Sequence, residues 1–232
     1  MTTLAQRLAA VQDRVQRACD QAGRDPKTVQ LIAVSKTRPA EELLEAAAAG
    51  QLHFGENYAQ ELRDKGAALD GQLPPGAVWH FIGHLQSNKV KYVVPRAALV
   101  HTVDSARLAV ELGRRASPGT PQGVLVQVNV GDESSKSGVN VAEALEVCAA
   151  VMAAPNVALR GLMTIPPAVE RPEQAAQYFD ALASLAAEGR ARGLPLTELS
   201  MGMSHDFEEA IRRGATLVRV GTAIFGERVR PG

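Results

Sequence analysis

The chain has 232 residues, and its 25 basic and 25 acidic side chains cancel to a formal net charge of zero at neutral pH. This length is within the range of one large α/β domain, and no linker rich in Gly, Ser or Pro divides it, so we expect one domain over residues 1–232. No run of like charges offers a surface for nucleic acid or for an anionic membrane. A small, locally recognised ligand is therefore favoured.

The first segment, residues 1–23, has charged side chains spaced among apolar ones. It lacks the unbroken apolar stretch of a signal peptide and is typical of an amphipathic helix. No part of the chain approaches the ~18 uninterrupted apolar residues of a membrane-spanning helix. Cys19 and Cys148 both lie in helical patterns among alanine and valine. We therefore expect a cytoplasmic protein with reduced, structurally inert thiols.

Short β-branched runs then alternate with alanine-rich helical stretches, which is the pattern of βαβ units and a parallel sheet. Eight strands are predicted, at residues 29–36, 52–56, 79–84, 99–104, 124–130, 159–165, 198–202 and 217–225. Helices are predicted near residues 39–49, 57–69, 86–93, 105–116, 140–154, 172–192 and 206–213. This order favours a single (β/α)8 TIM barrel with an extra N-terminal helix. An open doubly wound sheet is the alternative, but SKTRP after the first strand has no glycine-rich loop.

Lys36 lies where the first predicted strand meets the following helix. Ile32, Val34 and Lys36 share one face of that strand, so an inward-facing Lys36 would lie at the mouth of the barrel, where ligands bind. Desolvation there lowers the pKa of a lysine and supplies the neutral amine that forms a Schiff base with an aldehyde or ketone. The simpler interpretation is a lysine that extends from a strand end into solvent.

The last two predicted strands end in segments suited to binding an anion, SMGMSHD at 200–206 and VGTAIFGER at 220–228. Each combines a hydroxyl with a glycine that lets an anion approach backbone N–H groups, and the pairs are Ser200 with Gly202 and Gly221 with Thr222. Either segment alone is more simply a turn followed by a helix cap, and Ser204 would cap a helix that begins near His205. Together, at the usual phosphate end of a barrel, they indicate a phosphate site.

A Schiff-base lysine opposite a phosphate cradle matches the two ends of pyridoxal 5′-phosphate. Arg219 shares a strand face with Gly221 and would lie between them, as a partner of the pyridine nitrogen. The same lysine and cradle also suit a Schiff-base aldolase that acts on a sugar phosphate without a cofactor. The residues alone leave both interpretations open.

The motifs resemble those of the pyridoxal phosphate homeostasis proteins of the YggS/PLPBP type, over essentially the whole chain. They are AVSKTRP (33–39), FGENYAQE (54–61), WHFIGHLQSNK (79–89), SGVN (137–140), GLMTI (161–165), SMGMSHDFEEAI (200–211) and VRVGTAIFGER (218–228). The resemblance implies a barrel like the N-terminal domain of alanine racemase, with Lys36 carrying pyridoxal 5′-phosphate as an internal aldimine. It also implies that Arg219 is near the pyridine nitrogen, that Asn57 is in the pocket, and that the phosphate is near Ser200, Gly202, Gly221 and Thr222.

The function implied by the resemblance is intracellular vitamin B6 homeostasis without robust catalysis. The cofactor would be held by a monomer for buffering, or for transient delivery to apoenzymes that depend on it, so no catalytic residue is assigned. An amino-acid racemase is the alternative, and it needs an acid/base group on each face of the substrate. In alanine racemase a tyrosine from a second domain serves one face. Tyr58, Tyr92 and Tyr178 offer no convincing equivalent.

The histidines are scattered along the sequence without paired-cysteine or HExxH spacing, so no metal site is predicted. His80 could face the barrel interior with Ile82, either as a hydrogen-bonded core histidine or as a cofactor contact. His84 and His205 are given no chemical role. The polar loop at 131–138, with Asp132, Glu133, Ser134 and Lys136, is expected to be a solvated loop or a lid.

Overall fold

The computed structural model describes residues 2–131, 133 and 137–227. Eight parallel strands form a closed barrel, because the pairing of β4 with β5 joins the two ends of the sheet. They are β1 (Gln30–Val34), β2 (His53–Glu56), β3 (Val78–Phe81), β4 (Ala97–Val103), β5 (Gln122–Asn129), β7 (Val157–Met163), β8 (Glu198–Ser200) and β9 (Leu217–Val220). A two-residue strand, β6 (Val139–Asn140), pairs with β5 alone. The predicted (β/α)8 barrel is confirmed.

The predicted helices between the strands are also present. They are α2 (Ala40–Ala48), α3 (Ala59–Ala68), α4 (Val90–Val93), α5 (Ala106–Arg115), α6 (Ala144–Met152), α7 (Ala176–Ala191) and α8 (Phe207–Arg212). Short 3-10 turns at 87–89, 141–143 and 172–175 precede α4, α6 and α7, so these helices begin later than predicted. Among the described residues, no helix is both long and apolar enough to cross a membrane.

The predicted strand boundaries differ from the structure by a few residues, and the largest difference is at the end of the last strand. The run 217–225 was assigned to a single strand, but the strand ends at Val220 and residues 222–225 form the short helix α9 (Thr222–Phe225). Val220 pairs with Ala33, one residue before the end of β1, so almost no residues of β1 remain to pair with the residues after Val220. Instead, the amides of Ile224 and Phe225 both donate to the carbonyl of Gly221, at 2.9 Å. The apolar residues Ile224 and Phe225 are therefore buried from a helical turn and not from a strand.

The predicted N-terminal helix is α1 (Leu4–Gln21), which lies on the outside of the barrel against α2, α8 and α9. Its apolar stripe includes Leu4, Leu8 and Val11, which are buried. The side chain of Thr3 accepts a hydrogen bond from the amide of Gln6 and so caps the first turn. Because α9 has only four residues, α1 covers the part of the barrel wall that a longer last helix would cover.

The apolar core has two parts. The larger part lies between the barrel wall and the helices, and a smaller cluster fills the inside of the barrel with Ile32, Leu99, Leu125, Met163 and Leu217. Buried polar side chains share the barrel interior with this second cluster. They belong to the site described next.

Candidate functional site

A cavity of about 280 Å³ opens at the C-terminal ends of the barrel strands. Five of the predicted site residues line it, namely Lys36, Asn57, Arg219, Gly221 and Thr222. The rest of the wall consists of Val34, Arg38, Ile82, Ile165, Met203, Ser204 and His205. The cavity therefore combines an amine, a carboxamide, guanidinium groups and hydroxyls above an apolar layer.

Lys36 follows the end of β1, in a turn whose next residue, Thr37, has a φ of 62°. This left-handed conformation is unfavourable for a β-branched residue and persists only where neighbouring contacts impose it. The contacts are present on both sides of Lys36. The Ser35 hydroxyl donates to Glu56 Oε1 at 2.7 Å, and the Thr37 amide donates to Glu61 Oε2 at 2.8 Å.

Lys65, Glu56 and Glu61 form an ionic cluster beside the Lys36 turn, which we call the Lys65 cluster. The ammonium of Lys65 lies 2.8 Å from Glu56 Oε1 and 2.9 Å from Glu61 Oε2, and it also donates to the carbonyl of Ser35 at 2.7 Å. Burial raises the pKa of Glu56, although Lys65 and the Ser35 hydroxyl oppose this shift. Burial acts in the same direction on Glu61, but hydrogen bonds from Lys65 and the Thr37 amide outweigh it, and the pKa is lowered.

Arg219 lies on β9 at the base of the cavity and is almost completely buried. Its Nη1 donates to Ser200 Oγ at 2.5 Å, and its Nη2 donates to the carbonyl of Thr164 at 2.9 Å. Burial lowers the pKa of Arg219 to about 10, while the nearby Asp206 carboxylate acts in the opposite direction. The guanidinium therefore remains charged at neutral pH, in a fixed orientation.

Ser200 and Gly202 do not line the cavity, and their predicted contact with a phosphate remains a prediction. The Ser200 hydroxyl is fully buried at the end of β8, where it accepts the hydrogen bond from Arg219. Gly202 has a φ of +90°, and a Cβ there would approach Ala210 Cβ to 2.6 Å. Glycine is thus required for α8 to pack closely against the turn after β8.

The predicted helix cap at Ser204 is wrong. The helix α8 begins at Phe207, and Asp206 occupies the N-cap position, with its carboxylate accepting from the amide of Met203 at 2.7 Å. Ser204 faces the cavity instead, and its hydroxyl accepts from the amide of Gly221 at 3.2 Å. The segments after β8 and β9 are therefore joined directly at the predicted phosphate end.

Asn57 provides the observation that tests whether a ligand fits here. Its Oδ1 is buried and has no hydrogen-bond partner among the described residues. Buried polar atoms almost always have a partner, so a carboxamide in this state indicates a polar ligand that would supply one. The position of Asn57 depends on Gly83, because a Cβ at residue 83 would lie 2.0 Å from the Asn57 carbonyl oxygen.

Sequence reasoning missed several residues around the cavity. Arg38 follows the Lys36 turn and holds the C-terminal segment, since its guanidinium donates to the carbonyls of Gly226 and Glu227. His205, which was given no role, is exposed at the cavity wall. Lys65 lies outside the motifs, and its contribution depends on the i, i+4 spacing from Glu61 and on the fold. The spacing was the only sequence signal that could have indicated it.

The remaining predictions concern histidines, metals and the 131–138 loop. His80 is buried and hydrogen-bonded inside the barrel and does not line the cavity, whereas His84 is exposed. Within the described residues there is no group of three or more His, Cys, Asp or Glu side chains that could hold a metal. Asp132, Ser134 and Lys136 lie outside the described residues, so the loop prediction stays untested.

Comparison with known proteins first defines the class of domain. Residues 6–229 match the family described as the N-terminal domain of alanine racemase. The solved alanine racemase of Corynebacterium glutamicum superposes with a TM-score of 0.67 at 20% identity, covering 95% of this chain and 62% of that one. This similarity concerns the fold alone.

Two nearer relatives define the family within that class. The pyridoxal phosphate homeostasis protein of Aquifex aeolicus is 46% identical over 96% of this chain and 97% of its own length. The structure of PipY from Synechococcus elongatus, solved with PLP bound, has a TM-score of 0.78 and 39% identity over 92% of this chain and 100% of that chain. The chain belongs to the pyridoxal phosphate homeostasis protein family, as its motifs indicated.

Proposed function

We propose that this protein binds pyridoxal 5′-phosphate through Lys36 and serves in intracellular vitamin B6 homeostasis, by buffering the cofactor or delivering it. The observation that carries the proposal is the convergence on one cavity of an amine, a guanidinium and a buried carboxamide oxygen that has no partner among the described residues. The PLP-bound relative and the relative named for pyridoxal phosphate homeostasis support it. When bound, the cofactor supplies an aldehyde carbon that forms a covalent bond with a lysine amine.

Different side chains are proposed to bind different parts of the cofactor. Lys36 is presented by a turn that the Lys65 cluster fixes on both sides, so its amine is positioned before the ligand arrives. Arg219 offers a fixed guanidinium at the base of the cavity for the pyridine nitrogen. Gly221, Thr222 and Ser204 form the end proposed for the phosphate, and Asn57 is proposed to bond to a polar group of the cofactor.

The site is suited to holding the cofactor and poorly suited to amino-acid chemistry. An arginine remains protonated and can only donate hydrogen bonds, so Arg219 facing the pyridine nitrogen disfavours a protonated ring. Such a ring stabilises negative charge poorly, which argues against transamination. Racemisation tolerates it but needs a second acid/base group. Tyr58, at the N-cap of α3, is 53% exposed and does not line the cavity, so it is a poor candidate for that group.

The proposal extends to the physiological setting. We propose that the protein acts in the cytoplasm as a monomer and transfers its cofactor transiently to apoenzymes. The cavity wall includes the exposed residue His205, which is consistent with a ligand that enters and leaves. Size-exclusion chromatography with light scattering would test the oligomeric state, and a dimer would contradict this part.

The binding proposal is tested by the visible absorption spectrum of the purified protein, before and after borohydride reduction. We expect a yellow protein, and after reduction a pyridoxyl-phosphate mass on the peptide that contains Lys36. A colourless protein that free cofactor cannot convert to the yellow form would contradict the proposal. That result would favour the aldolase alternative, which needs the same lysine without a cofactor.

The absence of robust catalysis needs a separate experiment. Cofactor-loaded protein is incubated with L- and D-alanine in deuterated water, and NMR follows Cα exchange and chirality. We expect slow exchange without net product. Sustained turnover in the range of ~1 to 1000 per second that enzymes show would establish the racemase instead.

A further inference from the structure

Three of the histidines that are scattered in the sequence form a continuous hydrogen-bonded file inside the barrel. His53 Nδ1 lies 2.9 Å from His80 Nε2, and His80 Nδ1 lies 3.0 Å from His101 Nε2. The rings lie on β2, β3 and β4, and consecutive centroids are 5.2 Å apart. We call these three residues the histidine file.

The file continues to the base of the cavity. His101 Nδ1 lies 2.8 Å from Ser200 Oγ, and Ser200 Oγ accepts the 2.5 Å hydrogen bond from Arg219 Nη1. His53, at the first residue of β2, is half-buried and lines a surface depression with Gln30 and Gln51. An unbroken chain of hydrogen bonds therefore connects the N-terminal end of the barrel to a guanidinium that faces the cavity.

Donor and acceptor chemistry gives the chain a direction. A guanidinium only donates, so Ser200 Oγ accepts from Arg219 and has one hydroxyl hydrogen to place. Among the described residues, His101 Nδ1 is the other hydrogen-bond partner of Ser200 Oγ. If the hydroxyl donates to His101 Nδ1, each neutral ring must carry its hydrogen on Nε2 and donate to Nδ1 of the next ring. All three imidazoles would then have the same tautomer, and each link would polarise the next.

Filling space does not explain this arrangement. The apolar cluster in the barrel shows that leucine, isoleucine and methionine fill the same interior. Buried imidazoles are costly unless every polar atom is paired. Burial also lowers the pKa of His80 to about 3, with His53 adding to the shift, and it holds the pKa of His101 well below its ordinary value. The file is therefore neutral beside the charged Arg219.

We infer that His53, His80 and His101 are positioning residues, which orient the Ser200 hydroxyl and through it hold the Arg219 guanidinium against the ring of the cofactor. This inference rests on the proposed function for its ligand. The order of the chain is fixed by contacts that exist without the ligand, so it can be examined in the cofactor-free protein.

The experiment begins with ¹⁵N NMR of the histidine and arginine side chains of the protein freed of cofactor. We expect three neutral rings protonated on Nε2 for His53, His80 and His101, and slowly exchanging guanidinium hydrogens on Arg219. The variant His80→Phe keeps a ring of similar shape but interrupts both links. It should release the tautomer preference of His101 and accelerate hydrogen exchange at Arg219. The matched control is His84→Phe, on an exposed residue outside the file.

Cofactor binding supplies the second measurement. We expect the dissociation constant to rise about fivefold in His80→Phe, the effect of weakening one net hydrogen bond, with a shifted absorption maximum, and to stay unchanged in His84→Phe. If His80→Phe does not fold, His53→Phe at the half-buried end tests the same link to His80 and the same tautomers.

Nδ1-protonated rings in the wild-type protein would overturn the direction of the file. Unchanged Arg219 exchange together with unchanged affinity in a folded His80→Phe variant would overturn its positioning role. A wild-type protein that binds no cofactor would contradict the proposed function instead, while the tautomer and exchange measurements would still decide whether the file holds Arg219.

Discussion

Two cationic side chains of the site, Lys36 and Arg219, are supported in physically different ways. Lys36 is held from outside the barrel wall by the Lys65 cluster, in which Lys65 is 12% and Glu61 30% exposed while Glu56 is fully buried. Arg219 is held from inside the barrel by Ser200 and the histidine file, where every partner is neutral and buried apart from half-buried His53.

The difference follows from access to solvent. Ionised pairs are tolerable where water still reaches part of the cluster, whereas in the closed interior each extra charge would carry a large desolvation cost. Inside the barrel, the buried charge of Arg219 is therefore supported by neutral hydrogen-bonding groups. We call the Lys65 cluster the outer support and Ser200 with the histidine file the inner support. We predict that the outer support depends on intact ion pairs, and that the inner support depends on neutral histidines.

The largest effect is expected at Lys36 itself. Lys36→Ala removes the amine but leaves the Arg219 end unchanged, so the borohydride-fixed label should disappear completely while weak, rapidly reversible cofactor binding remains. Absorption spectroscopy and mass spectrometry of the reduced protein measure both. Lys89→Ala is the control and should keep the label. Unchanged labelling of Lys36→Ala at another lysine would show that the site is assigned wrongly.

Breaking the outer support should have the next largest effect. Lys65→Met leaves the fully buried Glu56 without its cationic partner, and we expect the free energy of unfolding to fall by about 3 kcal/mol. Urea denaturation measures this change. Lys91→Met, the same substitution on an exposed lysine, should change little, and adding Glu56→Gln to Lys65→Met should restore part of the loss. A loss below about 0.5 kcal/mol would show that the cluster does not support the turn.

The inner support should respond to pH. The folded-state pKa of His80 is lowered from 6.5 to about 3, so between these values the folded protein binds fewer protons than the unfolded chain. The stability associated with a neutral His80 is therefore present above pH 6.5 and is lost as the pH falls. At pH 5 the loss relative to high pH is about 2 kcal/mol, with a limiting slope of ~1.4 kcal/mol per pH unit.

Comparing variants isolates this contribution. Urea denaturation at several pH values should show a shallower pH dependence for His80→Phe than for the control His84→Phe. The raised pKa of Glu56 acts in the opposite direction, since its burial favours the protonated form, but it is common to both variants. Equal pH dependence in the two variants would contradict a neutral, buried His80.

The smallest effect is expected from the backbone of the Lys36 turn. Thr37→Gly relieves the left-handed conformation of a β-branched residue, and after the entropy cost in the unfolded chain we expect a gain of about 0.5 to 1 kcal/mol. Asn156, with a φ of 55°, is the control, because asparagine tolerates this conformation and Asn156→Gly should gain nothing. Thermal denaturation measures both. A destabilised Thr37→Gly would mean that the threonine side chain contributes more than its strain costs.

The barrel and most of the residues around the cavity could be predicted from the sequence. Alternating apolar strands and alanine-rich helices specify a (β/α)8 topology, and strand ends in such a barrel converge on one face. This is why Lys36, Arg219, Gly221 and Thr222 could be placed together before their contacts were known, while Asn57 was added by the resemblance to the family. The fold and the family follow from patterns that are local or motif-sized.

The side chains that position those cavity residues could be identified only from the tertiary structure. Lys65 reaches the Lys36 turn. His53, His80 and His101 meet although the first and the last are 48 positions apart in the sequence, because neighbouring strands are staggered. In the sheet His80 pairs with Gly55 and Leu99, each two residues from the histidine to which it bonds. Ser200, which is predicted to lie near the phosphate, also bonds to Arg219 and His101, and no sequence signal indicated these two bonds. Hydrogen bonds between side chains of different strands depend on barrel stagger and on rotamers, which no sequence spacing encodes, so these partners could be found only in the folded chain.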